Sequence, residues 1–446
     1  MERKPLELVD RSSWTSLHTL MFLSLAVGFF MWGVIVSIAP LIYPSINNIF
    51  FLLTPTFATL AGNLILPFFS DSRLGRKTTF FITMSLYSAG TALLVIAAVL
   101  AGFNANNLAN MPYIALLIAG IVLGVLGVEG EVPVMLSYTA EMMPLKYRDQ
   151  ILILAPNFDN IGAMVAALVV YLTQSATNSY AIELLSIGIV AGIGAITAII
   201  IRLLLPESVR WLTVKGKENE AEREAERLAK RISEIKENEA EKKITLGFSY
   251  LFLALIGISQ YLTYGLMAYV VADFYFPNSE IPFIVFIANL GASASGFLAA
   301  YIINRIRTRT FTLFSYLGGT LSMIPIILLT MNFNLVIFYV LLAINMLFSE
   351  FGWAVRTIYE PVLMPNKLRA FMIGLIRVVP VTAYAISVYT ISAYLSNNLT
   401  LYLVYNFILW AVGGVMSIIW YFEGIDVNFV SLEKIHGEEK ASTLKR

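Results

Sequence analysis

Twelve apolar stretches, each long enough to cross a lipid bilayer, set the fold of this 446-residue chain. A transmembrane helix needs about 20 mostly apolar residues. The stretches lie at 17–41, 49–70, 78–102, 111–137, 150–173, 180–205, 247–272, 281–303, 311–331, 334–357, 370–395 and 399–422. The alternating pattern of a transmembrane barrel is not visible. We therefore predict an all-α membrane protein with twelve transmembrane helices in two six-helix bundles.

Charged residues are concentrated outside these stretches. Residues 206–243 carry 20 of the 59 charged residues, whereas only 24 lie in the 371 residues outside this segment and the two chain ends. Hydrophobic residues make up 58% of the chain, which excludes an ordinary soluble enzyme or a nucleic-acid binder. With no cysteine and two histidines, the chain offers no thiol chemistry and no histidine-rich metal cage. We expect no cofactor, no metal and no enzymatic activity.

The charge distribution also divides the chain into four parts. These are a first bundle over 1–205, a charged helical linker over 206–246, a second bundle over 247–422 and a tail over 423–446. Within the linker, opposite charges three or four residues apart, such as Glu224–Arg227 and Glu226–Lys230, suit a solvated helix. A linker between two halves is the favoured interpretation, and a regulatory docking segment is the alternative.

Basic residues orient the bundle. The loops after the odd-numbered stretches contain no Lys or Arg, whereas the opposite loops contain ten. These ten are Arg73, Arg76, Lys77, Lys146, Arg148, Arg305, Arg307, Arg309, Lys367 and Arg369. Positive charge marks the cytoplasmic side of a membrane protein. We therefore expect a multi-pass protein of the cell membrane with the linker and both termini in the cytoplasm.

The two halves repeat one motif, in which an acid stands 15 residues before a proline and an arginine four residues after it. Its members are Glu129, Pro144 and Arg148 in the first half, and Glu350, Pro365 and Arg369 in the second. The repeat indicates that the two halves arose by duplication. In transporters built from such parallel repeats, the solute site lies between the halves near the membrane midplane.

Five motifs in chain order resemble signatures of the major facilitator superfamily, in its sugar porter and organic-ion transporter branch. They are Asp71 with Gly75-Arg76-Lys77, Gly130-Glu131-Val-Pro133, Pro206-Glu-Ser-Val-Arg-Trp-Leu212, Glu350-Phe-Gly352, and Glu423 with Ser431-Leu-Glu-Lys-Ile435. The resemblance runs from about residue 20 to residue 435. The seventh stretch keeps Gln260 but lacks the second Gln and the Asn of the sugar porters, and the first stretch lacks the Asp of proton-coupled sugar symporters.

Charged residues near the predicted cytoplasmic ends suggest a set that we call the charge latch. The resemblance implies a latch role for Asp71, Arg76, Glu141 and Arg148. Acids about 18–20 residues into the fourth stretch, and one at a similar depth in the tenth, are expected to pair with loop arginines when that side is closed, with direct solute or ion contact as the alternative. The full set is Asp71, Arg73, Gly75, Arg76, Glu129, Glu131, Glu141, Arg148, Arg309, Glu350 and Arg369.

A second group of polar and aromatic residues is predicted to bind solute or couple protons. Asp159 lies about 14 Å from the cytoplasmic end of its helix, which is near the midplane. The resemblance places Asn160 where sugar porters carry a sugar-binding Gln. Arg377 suits a carboxylate, either of the solute or of Asp159 or Glu350. The group comprises Trp32, Asn157, Asp159, Asn160, Gln260, Thr263, Tyr264, Asn289, Trp353 and Arg377.

The resemblance implies a secondary transporter that works by alternating access, with a proton as a possible partner. A neutral sugar or polyol is the first choice of solute, and a small organic acid or other organic ion is the alternative. A solute receptor with a transporter fold is a remote alternative. We expect a protein that contacts lipid, binds no nucleic acid and acts as a monomer.

Overall fold

The computed structural model describes residues 5–46, 48–102, 104–177, 179–229, 232 and 237–437, and in these residues every regular element is a helix. Eleven helical segments are long and apolar enough to cross a membrane. One of them, Ile49–Leu100, has 52 residues and is more than twice as long as a bilayer core of ~30 Å. It turns at Ser70–Leu74 and at Gly75, where φ is +79° and favours glycine. Since this segment makes two crossings, the predicted twelve helices are confirmed.

We label the twelve membrane helices in chain order. The first six are α1 (Ser16–Val36, continued by Ile38–Ile46), α2 (Ile49–Phe69), α3 (Gly75–Leu100), α4 (Tyr113–Met142), α5 (Arg148–Leu154, continued by Phe158–Thr177) and α6 (Tyr180–Arg202). The last six are α7 (Leu246–Gly265, continued by Leu266–Val270 and Val271–Tyr275), α8 (Ile281–Ile302), α9 (Thr308–Leu329), α10 (Leu335–Leu363), α11 (Arg369–Thr390) and α12 (Leu399–Glu423).

Each group of six helices packs as a bundle, and two helix pairs join the bundles. In the first bundle α4 packs on α2 and α3, and in the second α10 packs on α8 and α9. The bundles meet where α2 packs on α11 and α5 packs on α8. A Cβ atom added to Gly374 of α11 would lie 1.8 Å from the carbonyl oxygen of Asn63 in α2. The absence of a side chain at Gly374 therefore allows the two bundles to touch through their backbones.

The ends of the helices that carry the loops with Arg73, Lys146, Arg307 and Lys367 are called the basic end. Four short helices lie outside the membrane helices in the linker and near the chain ends, namely Pro5–Asp10, Val209–Val214, Glu218–Leu228 and Leu432–His436. Arg210 joins three parts of the chain, because its guanidinium binds Asp10 at 2.8 Å and Glu433 at 3.0 Å. Both described ends of the chain therefore lie together with the linker.

The linker is less helical than expected. Its helix Glu218–Leu228 contains the predicted Glu224–Arg227 ion pair, at 2.6 Å. Residues 237–245 are irregular, and Asn238 is held there by the carbonyl of Phe429, at 3.0 Å. Lys230, the predicted partner of Glu226, and residues 438–446 of the predicted tail lie outside the described residues.

Candidate functional site

A central cavity lies between the two bundles, about halfway along the helices. Its volume is about 100 Å³, which is several times the roughly 10–15 Å³ that one water needs. It is lined by α1, α2, α4 and α5 of the first bundle and by α7, α10 and α11 of the second. The lining residues are Trp32, Val36, Pro40, Leu52, Pro55, Thr56, Thr59, Glu129, Asp159, Asn160, Gln260, Tyr261, Tyr264, Gly265, Tyr269, Val270, Glu350, Trp353 and Tyr384.

Six of the ten residues predicted to bind solute line this cavity, namely Trp32, Asp159, Asn160, Gln260, Tyr264 and Trp353. The other four, Asn157, Thr263, Asn289 and Arg377, are not among the lining residues. Asn289 accepts a hydrogen bond from the Tyr264 hydroxyl at 2.7 Å, and Thr263 donates to a carbonyl of its own helix. Asn157 donates to the carbonyl of Ser293 in α8, at 2.9 Å. These residues support the lining or join the bundles rather than face the cavity.

Glu129 and Glu350 line the cavity, whereas the sequence placed them near the cytoplasmic ends of their helices. In both α4 and α10, 13 helical residues follow the acid. At 1.5 Å per residue, each acid is therefore about 20 Å from the helix end. The helices extend beyond the apolar stretches because their last turns pack inside the protein, where Tyr138 and Tyr359 are fully buried. The predicted position of these two acids was wrong.

Arg377 pairs with Glu129, whereas the sequence suggested Asp159, Glu350 or a carboxylate of the solute as its partner. Its guanidinium is 3.1 Å from the Glu129 carboxylate and donates to the Asn63 side chain at 2.9 Å. Asn63 in turn donates to Glu129 at 3.2 Å. All three side chains are at most 1% exposed. The triad links α2 and α4 of the first bundle to α11 of the second, beside the cavity.

Asp159 and Glu350 have no cationic partner among the described residues. Both are bound by Asn160, whose backbone N–H donates to Asp159 and whose amide donates to Glu350 at 2.7 Å. The second oxygen of Glu350, Oε1, is buried and has no hydrogen-bond partner in the part of the chain that the structure describes. Two carboxylates from opposite bundles are therefore bound by one residue, Asn160, through its backbone and its side chain.

Aromatic rings make up much of the remaining surface of the cavity. The rings of Trp32 and Trp353 approach each other across the two bundles, with centroids 5.8 Å apart. Four tyrosines also line the cavity, at 261, 264, 269 and 384. Sequence reasoning found only Tyr264 of these four. The i, i+3 spacing of Tyr261 and Tyr264 on α7 was the available signal, since it places both rings on one helix face.

At the basic end, four charged side chains of the predicted latch join the bundles, and we call them the gate cluster. Arg76 is bound by Asp71 and by Glu141, the latter at 2.8 Å. Glu141 also lies 3.2 Å from Arg369 of α11. The other oxygen of Asp71 accepts the backbone N–H of Phe371 at 2.8 Å. The gate cluster of Asp71, Arg76, Glu141 and Arg369 therefore holds α11 against the first bundle.

The motif Pro206–Leu212 supports the gate cluster from the linker. The Glu207 carboxylate accepts the backbone N–H of Arg76 at 2.9 Å and that of Lys77 at 3.2 Å, which caps the start of α3. A side chain at Gly75 would collide with this carboxylate. Burial raises the pKa of Glu207, although these N–H groups oppose the shift. Ser208 donates to Glu141 at 2.6 Å.

The remaining latch residues lie elsewhere. Arg148 binds the carbonyls of Val430 and Val427 at 2.9 and 3.0 Å, so it fastens the C-terminal segment to the first bundle. Arg309 pairs with Asp426 at 3.0 Å, within the second half of the chain. Arg73 is exposed, and no ion pair to it is found among the described residues.

Glu131 was expected to pair with a loop arginine and instead pairs inside the first bundle. Its carboxylate binds Arg202 at the end of α6 and the hydroxyl of Thr83 in α3. Both Glu131 and Arg202 are 1% exposed. This pair ties three helices of one bundle together, and it does not reach the second bundle.

Outside the membrane helices, burial and the charge of Arg210 shift the pKa values of its two acidic partners, Asp10 and Glu433. Burial opposes ionisation of Glu433, but Arg210 outweighs burial and lowers the pKa of Glu433 to about 2. Burial raises the pKa of Asp10, which shares the same guanidinium. Arg210 also donates to the carbonyl of Glu141 at 2.6 Å. The gate cluster is thus connected to both ends of the described chain.

Comparison with solved structures shows the same fold. The proton:xylose symporter XylE from E. coli, bound to 6-bromo-6-deoxy-D-glucose, superimposes with a TM-score of 0.75 at 14% identity, covering 95% of this chain and 99% of that chain. At this identity the likeness concerns the fold alone. It agrees with the predicted arrangement of two six-helix bundles.

Curated relatives match shorter parts of the chain. The niacin transporter NiaP of Acinetobacter baylyi is 30% identical over 149 residues, which cover 33% of this chain and 30% of that protein. The H(+)/hexose cotransporter 2 of Parachlorella kessleri is 36% identical over 160 residues, covering 35% of this chain and 26% of that protein. The chain therefore spans less than a third of the length of these two relatives.

A family model settles the wider relationship, because it covers most of the chain. The model of the Major Facilitator Superfamily matches residues 20–387. This range includes the cavity, the gate cluster, the nine membrane helices α2 to α10 in full, and most of α1 and α11. The chain belongs to the Major Facilitator Superfamily.

Proposed function

We propose that this protein is a secondary transporter that moves a small polar organic solute through the central cavity by alternating access. The observation that carries the proposal is the position of the cavity, whose walls come from both bundles. The gate cluster closes the basic end below the cavity. If these bonds break and the bundles rock apart, the same cavity opens to that side. The solute passes without chemical change, so the protein is not an enzyme.

We also propose that the basic end faces the cytoplasm of a cell-membrane protein. The support is the placement of all ten loop Lys and Arg residues on that side. The described parts of the two chain ends meet there at Arg210, so both termini are assigned to the cytoplasm. One chain supplies every wall of the cavity, and the monomer is therefore assigned as the working unit.

Two solute classes have specific support. A sugar or polyol is favoured by Asn160 and Gln260 in the cavity wall and by the hexose cotransporter and xylose symporter among the similar proteins. A small organic ion is the second class. The three carboxylates that line the cavity suit a cation, whereas the niacin transporter among the similar proteins points to an organic acid. Asp159 is the proposed proton carrier, because it lines the cavity without a cationic partner among the described residues.

Uptake by the purified protein in liposomes tests the proposal. We expect uptake of labelled solutes above the level of protein-free liposomes, and faster accumulation under a proton gradient. Asp159→Asn should abolish the gradient-driven accumulation. Glu183→Gln in α6 is the matched control, since it removes a buried carboxylate that does not line the cavity. Failure to take up any sugar, polyol, carboxylate or amine would contradict the proposed function.

A further inference from the structure

The charges on the cavity wall do not balance. Glu129, Asp159 and Glu350 all line the cavity, and among the described residues only Glu129 has a cationic partner, Arg377. The other nearby guanidinium belongs to Arg356, which already pairs with Glu360 at 2.7 Å. Asp159 is 6% exposed and Glu350 is 2% exposed. An uncompensated buried carboxylate is costly, so this wall has a deficit of positive charge that a ligand can fill.

Several uncharged polar groups of the wall are already bonded to the protein itself. The carbonyl oxygen of the Gln260 side chain accepts from Arg356 at 2.8 Å. The amide of Asn160 donates to Asn157 and to Glu350. The Tyr264 hydroxyl donates to Asn289, and the Tyr269 hydroxyl is bonded to Ser37 at 2.9 Å. A sugar would have to break these bonds to reach Asn160, Tyr264 or Tyr269.

Three buried polar atoms on lining residues have no hydrogen-bond partner among the described residues, namely the indole N–H groups of Trp32 and Trp353 and Oε1 of Glu350. Of these three, Glu350 Oε1 is the acceptor, and it lies where the positive charge is missing. Glu350 Oε1 is fully buried on a residue that lines the cavity, and the described residues offer it no donor. The opposite oxygen of the same carboxylate is bonded to Asn160, whose backbone binds Asp159. A donor that reached both acids would therefore sit between the two bundles. An ammonium group supplies several donors and a positive charge at once.

The aromatic lining restricts the kind of cation. Four tyrosines line the cavity, and aromatic faces attract ammonium groups that have been stripped of water. The rings of Trp32 and Trp353 already have the guanidinium of Arg377 over them, at 5.4 and 5.5 Å from the ring centroids. The described residues hold no group of three or more His, Cys, Asp or Glu side chains suited to a metal ion. Apolar carbon on the cation would lie against the rings, which gives an organic cation more contact than a bare inorganic ion could make.

We propose that the cavity binds a small organic cation, with a protonated amine between Asp159 and Glu350 and its carbon body against the tyrosine rings. The inference rests on the proposed transport function and specifies the solute class of the same site. A proton and an amine would compete for the same two carboxylates. Binding of the amine is therefore expected to weaken as the pH falls toward the range in which these acids are protonated.

Three compounds with one carbon body and different charge test the inference. Benzylamine, benzyl alcohol and benzoate are added to the purified protein at pH 7, and the melting temperature and the Kd are measured. We expect benzylamine alone to raise the melting temperature. Asp159→Asn and Glu350→Gln should each weaken benzylamine binding by at least about tenfold, as expected for loss of a charge-assisted hydrogen bond. Glu183→Gln should leave the Kd unchanged.

Equal binding of benzyl alcohol and benzylamine would overturn the inference, because charge would then not be recognised. Stabilisation by sodium ions alone, or by glucose or xylose and not by benzylamine, would also overturn it. If a carboxylate variant fails to fold, the Kd of the unsubstituted protein for benzylamine is measured at pH 7 and at pH 5 instead. A Kd that does not change with pH would overturn the inference. Uptake of sugar without amine binding would leave the proposed transport function standing, whereas no uptake of any solute would remove both.

Discussion

The carboxylate of Glu141 lies 3.2 Å from the guanidinium of Arg369, and this contact joins the first bundle to the second at the basic end. Both side chains are at most 1% exposed. A charge-assisted bond in such surroundings contributes about 1.5–3 kcal/mol. The bond exists only while the two bundles are in contact on this side. It therefore favours the closed basic end over the open one.

Loss of the Asp71 charge should loosen the same closure. In Asp71→Asn the bond to Arg76 loses its charge and the bond to the Phe371 N–H weakens. The chain has no cysteine, so a single cysteine at the buried Ala370 reports opening of the basic end. We expect this cysteine to react with a maleimide on the order of tenfold faster in Asp71→Asn. Solute transport should slow, while solute binding persists.

Asp426→Asn is the control for this measurement, since it removes an ion pair with Arg309 inside the second half. It should leave the labelling rate unchanged. Identical labelling rates in Asp71→Asn and in the protein that retains Asp71 would contradict a gating role for Asp71.

A side chain at Gly374 should hold the basic end open. The added Cβ would lie 1.8 Å from the backbone oxygen of Asn63, and backbone cannot move aside as a flexible side chain can. Gly374→Ala is therefore expected to expose the cysteine at Ala370 to labelling and to abolish transport without unfolding the protein. Gly192→Ala has open space around the new methyl group and should behave as the unmodified protein does. Normal transport by Gly374→Ala would show that this closure is not needed.

The Glu131–Arg202 pair should affect stability rather than gating. Removal of one partner of a buried ion pair costs about 3–5 kcal/mol. Glu131→Gln should lower the melting temperature and leave the labelling rate of the Ala370 cysteine unchanged. The double variant with Arg202→Met should recover part of the loss, because no uncompensated charge remains. Faster labelling in Glu131→Gln at an unchanged melting temperature would instead support the latch role that the sequence suggested.

Acidification should release the C-terminal segment. Burial lowers the pKa of His436 to about 4, from about 6.5 in an exposed histidine. The docked form therefore binds fewer protons, so docking is fully favoured above pH 6.5 and is weakened as the pH falls from 6.5 to 4. The slope is at most about 1.4 kcal/mol per pH unit.

Hydrogen exchange of the segment that follows α12 measures this release at pH 7 and pH 5, after correction for the intrinsic exchange rates. We expect exchange to increase at pH 5 in the natural sequence and not in His436→Gln, which cannot be protonated. The same increase in both proteins would exclude His436 as the cause.

The twelve membrane helices could be predicted from the sequence, but the contacts between their charged side chains could not. Apolar length alone predicts twelve crossings, because every span must satisfy its own backbone in lipid. It could not show that α4 and α10 continue beyond the apolar stretches, and so it misplaced Glu129 and Glu350. The partner of Arg377 depends on Asn63 and Glu129 coming together across two bundles, and no local pattern records that contact.

Distances between spin labels at the two ends of the molecule test the central claim of alternating access most directly. One pair joins Arg73 to Lys367 at the basic end, and the other joins the exposed Ala109 to Met331 at the opposite end. In the Gly374→Ala variant, the first distance should be longer and the second shorter than in the spin-labelled protein that retains Gly374. Two unchanged distances, or two distances that lengthen together, would contradict the account of two bundles rocking about a central cavity.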